Sequence, residues 1–308
     1  MKCPESFKER LIHLHYCLYG ASDFICEILR VDPNLTNCYI WSQADWANRF
    51  PRRSKLMLKA AEALNTVTMK AVHDSLVQQN IHVITVEDDT YPKLLKEIYD
   101  PPLCLYTKGD YSILSQDFFL GVVGTRWPSA YAKDAVDFVL GPVCDQNIII
   151  VSGMAEGVDA LAHEKALAMN GSTIAVTAFG FDHLYPSKLI DLYEKLQHKQ
   201  LVISEYPPYM KAEKWHFPKR NRIISGLCQA VLVVEAKKRS GSLITADCAM
   251  NESRDVLAIP GLLNNPASEG TNRLIQQGAK CILTGEDVLQ EYPDHPLFQK
   301  KNKEVHNH

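Results

Sequence analysis

The spacing of apolar residues along the chain changes near residue 80. Before that point, apolar residues recur every three or four positions in LIHLHYCLYG, SDFICEILR and RRSKLMLKAAEALNTVTMKAVHDSLVQQN, as they do on one face of a helix. Pro33 and Pro51 interrupt this helical pattern. From Ile81 onward, short β-branched runs alternate with amphipathic stretches. The pattern therefore predicts a small helical domain over residues 1–80, followed by a region in which strands and helices alternate.

Short apolar runs in the second region predict strands at IHVITV, LCLYT, FFLGVVG, NIIIVSG, STIAVTAFG, LVISEY, AVLVVEA, VLAIPG and CILTG. The stretches between them predict helices, among them SAYAKDAVDFVLGPVC, GVDALAHEKALAMN, PSKLIDLYEKLQ, GSLITADCAMNE and TNRLIQQG. Runs such as NIIIV and AVLVV are apolar without interruption, which indicates burial on both faces in a parallel sheet covered by helices. We therefore predict an extended Rossmann-like α/β domain over residues 81–292, with a doubly wound, mostly parallel sheet. Residues 293–308 lack periodicity and are predicted to form a disordered tail.

Composition limits the kinds of function that this chain can have. At 308 residues with 46% hydrophobic residues, it can bury one substantial core and a smaller second one. The net charge of -3 excludes a globally basic protein, so a polyanion would need a local cationic patch. Nine scattered cysteines without a C-x-x-C pair indicate neither a disulfide framework nor a zinc site. The amino terminus mixes charges with apolar residues, and no apolar stretch has the length of a membrane span, so we expect a cytoplasmic protein.

Ligands of doubly wound sheets bind beyond the carboxyl ends of the strands, so the residues that follow each predicted strand are the candidate site. After FFLGVV, a turn at Gly124 and Thr125 places Arg126 at the sheet edge, next to a helix whose predicted N-cap is Ser129. Backbone amides and a guanidinium in such a place bind phosphate. The same pattern fits an exposed arginine that pairs with a surface carboxylate.

The turn after NIIIV contains Ser152, Gly153 and Gly157 and leads directly into a helix. Glycines let a backbone approach a ligand and leave amides unpaired at a helix start, which suits phosphate. The spacing is neither G-x-G-x-x-G nor G-x-x-x-x-G-K-[ST], which argues against a dinucleotide site and an ATPase P-loop. We interpret Asp159 and His163 as capping or packing residues, because no nucleophile or third orienting residue accompanies them.

Two further helix starts carry positive charge. Lys188 lies in the first turn of the helix that follows STIAVTAFG, where it can face an anion. Lys237, Ser240, Gly241 and Ser242 follow AVLVVEA and again combine small residues with a cation. Several anion sites along one rim of a sheet fit an extended polyphosphate better than a single mononucleotide.

The stretch PPYMKAEKWHFPKRNRIISGLC after LVISEY is the most informative segment. Its cations are Lys211, Lys214, Lys219, Arg220 and Arg222, and its rings are those of Trp215, His216 and Phe217. Single-stranded nucleic acid is bound by this combination, since exposed bases stack on rings at about 1–3 kcal/mol each while cations hold the phosphates. A duplex hides its base faces. We therefore predict a single-strand site at this edge of the sheet, beside the loop that follows FFLGVV.

The motifs GTRWPS, VSGMAEGVDALAH, YPSK, SEYPP, HFPKRNRIISGL, VVEAKKRSGSLITA and AIPG…EGTNRLIQQGA, in this order, resemble those of the DNA-processing protein A family, also called DprA or Smf. The resemblance runs from about Asp89 to Gly285. It implies an extended Rossmann domain that binds single-stranded DNA, forms a homodimer and delivers the strand to the RecA recombinase in natural transformation. It also implies strand contacts by particular residues, namely Arg126, Lys188, Lys214 and Phe217, with Arg220, Asn221 and Arg222 contacting the strand or holding the loop.

The chain departs from the pattern of this family in two places. Many relatives have a second basic residue where this chain has Trp127, which is expected to weaken or reshape the phosphate contact. Many relatives also carry a winged-helix domain at the carboxyl end, which we do not expect in the short segment after Tyr292. The helical region 1–80 would correspond to the sterile-alpha-motif-like or helix-hairpin-helix-like domain at the amino end of relatives.

The main alternative is a nucleotide-binding or nucleotide-cleaving enzyme of the lysine-decarboxylase-like or phosphoribohydrolase type, which has a similar sheet. Such proteins carry a P-G-G-x-G-T-x-x-E motif, which Pro260-Gly261 and Gly270-Thr271 echo only in part. A pure protein-interaction scaffold would leave the cations and rings of the stretch after LVISEY unused. We therefore expect a protein that is not an enzyme, with no catalytic residue, cofactor or metal. Its expected partners are single-stranded DNA, RecA and a second copy of itself.

Overall fold

The computed structural model describes residues 3–296, and within them the side chains of all residues except 54–58 and 60. The predicted tail from residue 297 onward lies outside this range. His295 lies in the part of the predicted tail that is described. Its ring lies 4.7 Å from the Phe118 ring, and its Nε2 atom lies 2.9 Å from the Gln146 carbonyl oxygen. None of the helices in residues 3–296 is long and apolar enough to cross a membrane.

Helices fill the chain up to residue 78. They are α1 (Phe7–Cys17), α2 (Ser22–Val31), α3 (Gln43–Arg49), α4 (Ser54–Thr66) and α5 (Met69–Gln78). The apolar pattern runs on from α4 into α5, but the chain is extended at Val67 and Thr68. The Thr68 hydroxyl accepts a hydrogen bond from the Ala71 amide at 3.2 Å and so caps the start of α5. The extended backbone at these two residues and the Thr68 cap therefore divide a stretch of continuous apolar spacing into two helices.

One mostly parallel sheet follows, which confirms the predicted fold class. Its strands within the described residues are β1 (His82–Thr85), β2 (Cys104–Gly109), β3 (Phe119–Val123), β4 (Ile149–Gly153), β5 (Thr173–Thr177), β6 (Leu201–Ser204), β7 (Ala230–Val233), β8 (Asp255–Ala258) and β9 (Lys280–Cys281). Their order is β1-β2-β6-β5-β4-β3-β7-β8-β9. The pairs β1–β2 and β2–β6 are antiparallel and the others are parallel.

Helices cover both faces of this sheet. They are α6 (Lys93–Lys96), α7 (Ala130–Asp145), α8 (Val158–Ala168), α9 (Ile190–Lys199), α10 (His216–Leu227), α11 (Gly241–Asn251), α12 (Glu269–Gln276) and α13 (Gly285–Leu289). In β3, Leu120 and Val122 pack with residues of α7 and α8, whereas Phe119 and Val123 pack with residues of α10 and α11. Side chains of a strand alternate between faces, so an uninterrupted apolar run supplies both cores.

The chain reverses its direction of travel across the sheet at β3. It runs from β3 outward through β4, β5 and β6, and then returns to place β7 on the other side of β3. The loops that leave the carboxyl ends of β3 and β7 therefore diverge and open a crevice between them. In doubly wound sheets this crevice is the place where ligands bind.

The helical region is packed directly on the antiparallel side of the sheet. Leu14 of α1 and Phe24 of α2 share one hydrophobic core with Val83 of β1 and Tyr106 of β2. The expected boundary near residue 80 falls in the turn between α5 and β1. A single hydrophobic core crosses this boundary, so the structure does not separate the helical region from the sheet. That residues 1–80 form an independent domain stays a prediction.

Candidate nucleic-acid interface

A cavity of about 350 Å³ opens at the crevice between the loops after β3 and β7. Many of the predicted site residues line it, namely Gly124, Thr125, Arg126, Phe217, Arg220, Asn221, Lys237, Ser240, Gly241 and Ser242. They come from the loop after β3, the first half of α10, the loop after β7 and the start of α11, which are far apart in the sequence. The cavity is called the switch-point cavity below.

The loop after β3 is held by hydrogen bonds to its neighbours. The Thr125 amide donates to the Glu235 carbonyl oxygen at 2.8 Å, and the Thr125 carbonyl oxygen accepts from the Val158 amide at 3.1 Å. Ser129 caps α7 as predicted, since its hydroxyl accepts from the Ala132 amide at 3.1 Å. The Ser129 hydroxyl also donates to the Glu235 carboxylate at 2.7 Å. These bonds fix the backbone from which Arg126 projects.

Arg126 is exposed and carries no ion pair within the described part of the chain. Its guanidinium carbon lies 5.9 Å from the centroid of the Phe217 ring, which is within the range of a cation–π contact. Of the two interpretations of this arginine, pairing with a surface carboxylate is thus not observed. The free guanidinium is available to an anion beside an aromatic ring.

The start of α10 places Phe217 at the rim of the switch-point cavity. The preceding residue, His216, is fully buried, and its Nδ1 atom lies 3.2 Å from the Ala178 carbonyl oxygen. The His216 ring stacks on the Tyr206 ring at a centroid distance of 4.0 Å. His216 therefore anchors the first turn of α10 to the sheet, while Phe217 faces the crevice.

Two buried residues of opposite charge, Arg220 and Asp159, line this cavity. Arg220 of α10 donates from Nη1 to the Val176 carbonyl oxygen, and Asp159 of α8 lies beside its guanidinium. Burial raises the pKa of the Asp159 carboxyl to about 6, against the lowering effect of the Arg220 charge. Burial likewise lowers the pKa of Arg220, although Asp159 partly offsets this. Asp159 thus belongs to the cavity, which its interpretation as a cap or packing residue did not include.

Gly153 makes room for the side chains of Arg220 and Asp159. A Cβ atom built on Gly153 would lie 2.2 Å from Arg220 Nη1 and 2.5 Å from Asp159 Oδ2, which is far inside van der Waals contact. The neighbouring Ser152 is buried and donates its hydroxyl to the Val122 carbonyl oxygen at 2.6 Å. Neither residue lines the switch-point cavity. Their contribution is to leave space and to tie β4 to β3.

Gly157 also acts through space rather than through a ligand contact. It precedes α8 with a φ of 89°, a backbone conformation that residues with a Cβ atom rarely adopt. A Cβ atom here would lie 2.3 Å from the Thr125 carbonyl oxygen. The absence of a side chain thus lets the loop after β3 pass close to the start of α8.

Two predicted lysines lie outside the switch-point cavity. Lys188 is exposed, with its Nζ atom 3.9 Å from a carboxylate oxygen of Glu156. Lys214 is exposed in the loop before α10. Neither side chain lines the cavity.

Arg222 lies on the opposite side of α10 from the cavity. Its Nη2 atom donates to Oε2 of the fully buried Glu205 at 2.6 Å, and its Nε atom lies 3.2 Å from Oδ2 of Asp100. The other Glu205 oxygen accepts from the Ser22 hydroxyl of α2 at 2.9 Å and lies 3.6 Å from Lys219 Nζ. The structure thus places Arg222 in a joint between the helical region and α10.

The charges of this joint set the protonation of Glu205. Burial by itself would raise the pKa of the Glu205 carboxyl, but the positive charges of Arg222 and Lys219 outweigh it and the pKa is lowered. In turn, the carboxylates of Glu205 and Asp100 hold the pKa of Arg222 above its ordinary value despite burial. The joint is therefore a charged network at neutral pH.

His163 is a packing residue, as the sequence indicated. It is fully buried, with Nδ1 2.7 Å from the Thr173 hydroxyl and Nε2 2.8 Å from the Gly153 carbonyl oxygen. Burial lowers its pKa to about 4, so the ring is neutral at physiological pH. Over residues 3–296, no group of three or more His, Cys, Asp or Glu side chains is arranged to hold a metal ion.

Some cavity residues were not singled out by the sequence. Arg239 lines the cavity and adds a cation beside Lys237. It directly precedes the small residues that begin α11. The basic run KKR at this place in the sequence could therefore have indicated that Arg239 belongs to the site. Trp127 also lines the cavity, although its position next to Arg126 predicted only a weaker phosphate contact. Its exposure, which decides its role, is a property of the fold.

Comparison with known proteins places these features in a family. Residues 82–293 match the family described as DNA recombination-mediator protein A. The chain is 45% identical over 217 residues to the DNA processing protein DprA of Bacillus subtilis (strain 168), an alignment that covers 70% of this chain and 73% of that protein.

Solved structures of DNA processing protein A are similar to this one. The X-ray structure of DNA processing protein A from Streptococcus pneumoniae has a TM-score of 0.77 and 37% identity, covering 94% of this chain and 99% of that chain. A structure of DNA processing protein A from Helicobacter pylori, described for its single-stranded DNA binding mode, has a TM-score of 0.62 and 30% identity. It covers 68% of this chain and 94% of that chain.

Proposed function

This chain belongs to the DNA recombination-mediator protein A family, and on that basis we propose that it binds single-stranded DNA in the switch-point cavity. The observation that carries the proposal is the free guanidinium of Arg126 held beside the ring of Phe217. A strand with unpaired bases can use both groups at once, the first through a phosphate and the second through a base face. A duplex offers only its phosphates at the same place.

The charge around the cavity supports this mode of binding. Arg126, Lys237 and Arg239 line it and supply positive charge for phosphates. Ser240, Gly241 and Ser242 at the start of α11 line the same space, and a helix N-terminus favours an anion. Because phosphate contacts and stacking do not read base edges, we expect little sequence preference.

The test is fluorescence anisotropy with a labelled oligo-dT strand and a duplex of the same length, over a series of salt concentrations. We expect tighter binding of the single strand and an affinity that falls linearly with salt on a log–log plot. Equal affinity for the duplex would overturn the proposal. So would a normal affinity in the Arg126→Ala and Phe217→Ala variants.

We further propose that the bound strand is delivered to RecA during natural transformation in the cytoplasm. This step rests on membership of the family, which is described as one of recombination mediators. The measurement is RecA filament formation on DNA coated with single-strand-binding protein, with and without this protein. We expect faster nucleation with it, and no acceleration by the Arg126→Ala variant. Equal rates in all three reactions would contradict the delivery step.

The protein is also proposed to act as a homodimer. A groove of about 250 Å³ beside the edge strand β9 supports this, since it is lined by apolar side chains that include Phe138, Ile282 and Leu283. Phe138 is 64% exposed and Leu283 65% exposed, which is unusual for large apolar side chains that lie together. Light scattering should show a dimer for the unaltered protein and a monomer for Leu283→Arg.

A role without catalysis is part of the proposal. The nucleotide-cleaving alternative predicts release of free base from nucleoside monophosphates. Incubation of the protein with the monophosphates, followed by chromatography, should show no base above the rate without protein. Release that is lost in Arg220→Ala would establish the enzyme instead.

A further inference from the structure

A second cavity, of about 170 Å³, adjoins the switch-point cavity. The two share one wall, which includes Arg126, Trp127 and Phe217. The other side of the second cavity includes Glu156 and Tyr185. A strand held at Arg126 therefore has a recess on either side of this arginine.

The second cavity is lined by aromatic rings that the protein leaves exposed. Trp127 is 79% exposed and Tyr185 is 49% exposed. The Tyr185 ring lies 5.8 Å from the Phe217 ring at an interplanar angle of 65°. Burial of a large aromatic side chain is strongly favourable, so rings left in solvent beside a cavity are available to a ligand.

The backbone of Trp127 is held in place, although its ring is exposed. Its amide donates to the Thr125 hydroxyl at 3.2 Å, and Thr125 is itself held by the Glu235 carbonyl oxygen. The side chain therefore leaves the backbone at a defined place beside Arg126. The backbone at Trp127 therefore needs no rearrangement when a base stacks on the ring, which favours binding.

Charge separates the functions of the two cavities. The second cavity contains the Glu156 carboxylate, whose only cation within 4 Å among the described residues is Lys188 at 3.9 Å. A carboxylate repels phosphate but tolerates an uncharged base. The cations Lys237 and Arg239 line the switch-point cavity and not this one. The second cavity thus fits a nucleobase better than a phosphate.

We propose that the second cavity holds a nucleobase next to the one that stacks on Phe217, with Trp127 and Tyr185 as its stacking rings. Arg126, in the shared wall, holds the phosphate that joins the two nucleotides. The inference rests on the proposed binding of single-stranded DNA. It adds a second base site and gives Trp127 a direct part in binding.

The affinity test uses Trp127→Ala and Trp127→Phe with a labelled oligo-dT strand. We expect Trp127→Ala to weaken binding about tenfold, the effect typical of one lost stacking contact, while Trp127→Phe stays within about threefold of the unaltered protein. The slope of affinity against salt stays unchanged, because no cation is removed. Tyr99→Ala is the control, since Tyr99 is a fully exposed aromatic residue that lines neither cavity.

A second measurement locates the base directly. Strands that carry 5-iodo-deoxyuridine at one position are irradiated in the complex, and the crosslinked peptides are identified by mass spectrometry. We expect crosslinks to Trp127 or Tyr185 from a nucleotide adjacent to the one that crosslinks to Phe217. The Trp127→Phe variant should retain the crosslinks to Tyr185.

The outcomes separate this inference from the function on which it rests. If the unaltered protein binds the strand, but Trp127→Ala binds equally well and crosslinks form only at Phe217, the second base site is wrong and the proposed function stands. If the unaltered protein shows no preference for single strands, or Arg126→Ala has no effect, the proposed function fails and the second site with it.

Discussion

The guanidinium carbon of Arg126 lies 5.9 Å from the centroid of the Phe217 ring, although one residue follows β3 and the other begins α10. The two groups recognise different parts of a nucleotide, the phosphate and the base face. Their contact means that each limits the positions of the other. Binding by the pair should therefore differ from the sum of two separate contacts.

Single and double substitutions measure this coupling. We expect Arg126→Ala to weaken oligo-dT binding about tenfold and to reduce the log–log salt slope by about 1, as for the loss of one phosphate contact. Phe217→Ala should weaken binding by a similar factor without changing the slope. The double variant should lose less than the product of the two factors, because the residues touch. The measurement is anisotropy over a salt series.

Lys133→Ala is the control for this experiment. Lys133 is an exposed cation on α7 that does not line the cavity, so its removal should leave affinity and salt slope nearly unchanged. If Lys133→Ala lowered the slope as much as Arg126→Ala does, the strand would bind through the general field of the protein rather than at the cavity.

Substitution of Arg222 should lower stability, whereas substitution of Arg239 should lower DNA affinity. Arg222→Ala leaves Glu205 buried with a lost partner at 2.6 Å, so the free energy of unfolding in urea should fall by about 3–5 kcal/mol. The folded fraction should bind DNA almost normally. Arg239→Ala should leave unfolding unchanged and weaken DNA binding several-fold, because Arg239 is exposed and lines the cavity. The same result for both arginines would contradict the assignment of Arg222 to a structural joint.

The stabilising effect of Glu205 depends on pH in a defined direction. Its pKa is lowered in the folded protein from an ordinary value of 4.5, so its contribution is present above that value and is lost as the pH falls through the folded-state pKa. Glu205→Gln should therefore be clearly less stable than the unaltered protein at pH 7. The difference should narrow as the pH falls below 4.5 and acid protonates Glu205. Urea unfolding at several pH values tests this, and a constant difference would refute it.

Asp159 is expected to make DNA binding stronger at lower pH. Its pKa of about 6 means that the carboxylate is mostly ionised at pH 7.5, where it opposes a phosphate in the cavity. A bound phosphate raises this pKa further, so the complex takes up a proton and affinity increases as the pH falls from 7.5 to 5.5. The increase is at most about tenfold per pH unit, the limit for one proton.

Asp159→Asn should bind more tightly at pH 7.5 and lose this component of the pH dependence. His163 does not contribute in this range, because burial lowers its pKa to about 4. The arginines that face Asp159, Arg126 and Arg220, stay charged throughout. An unaltered pH profile in Asp159→Asn would show that another group is responsible.

Gly153 and Gly141 provide a matched pair of glycine substitutions. Gly153→Ala forces the Arg220 guanidinium or the Asp159 carboxylate to move, so we expect reduced DNA affinity and lower stability. In Gly141→Ala on α7, the nearest atom to the new Cβ is Cε of Lys165 on α8 at 3.8 Å, which is an ordinary van der Waals contact. This variant should bind normally and be as stable or more stable by about 0.5–1 kcal/mol. Equal effects of the two substitutions would argue against a specific role for Gly153.

Local pattern was sufficient for the strands, the main helices and the class of the sheet. Uninterrupted apolar runs such as those of β3 and β4 can be satisfied only by burial on both faces, and a parallel sheet covered by helices provides this. The rule that ligands bind at the carboxyl ends of strands then pointed to the segments that follow β3, β6 and β7, which contain Arg126, Phe217 and Ser240. Helix capping by Ser129 was also predictable, because a cap is formed by residues a few positions apart.

Tertiary structure alone decided the rest, since it depends on which distant segments meet. Arg220 and Arg222 are two residues apart in one helix and therefore project in different directions, but only the packing of α10 determines which one faces the cavity. The antiparallel pairing of β1 with β2, and the core shared by α1 and the sheet, are likewise long-range choices. Trp127 is the clearest example. The sequence gives its residue type and its place next to Arg126, but its exposure between two cavities arises from the loops that surround it, which only the tertiary structure brings together.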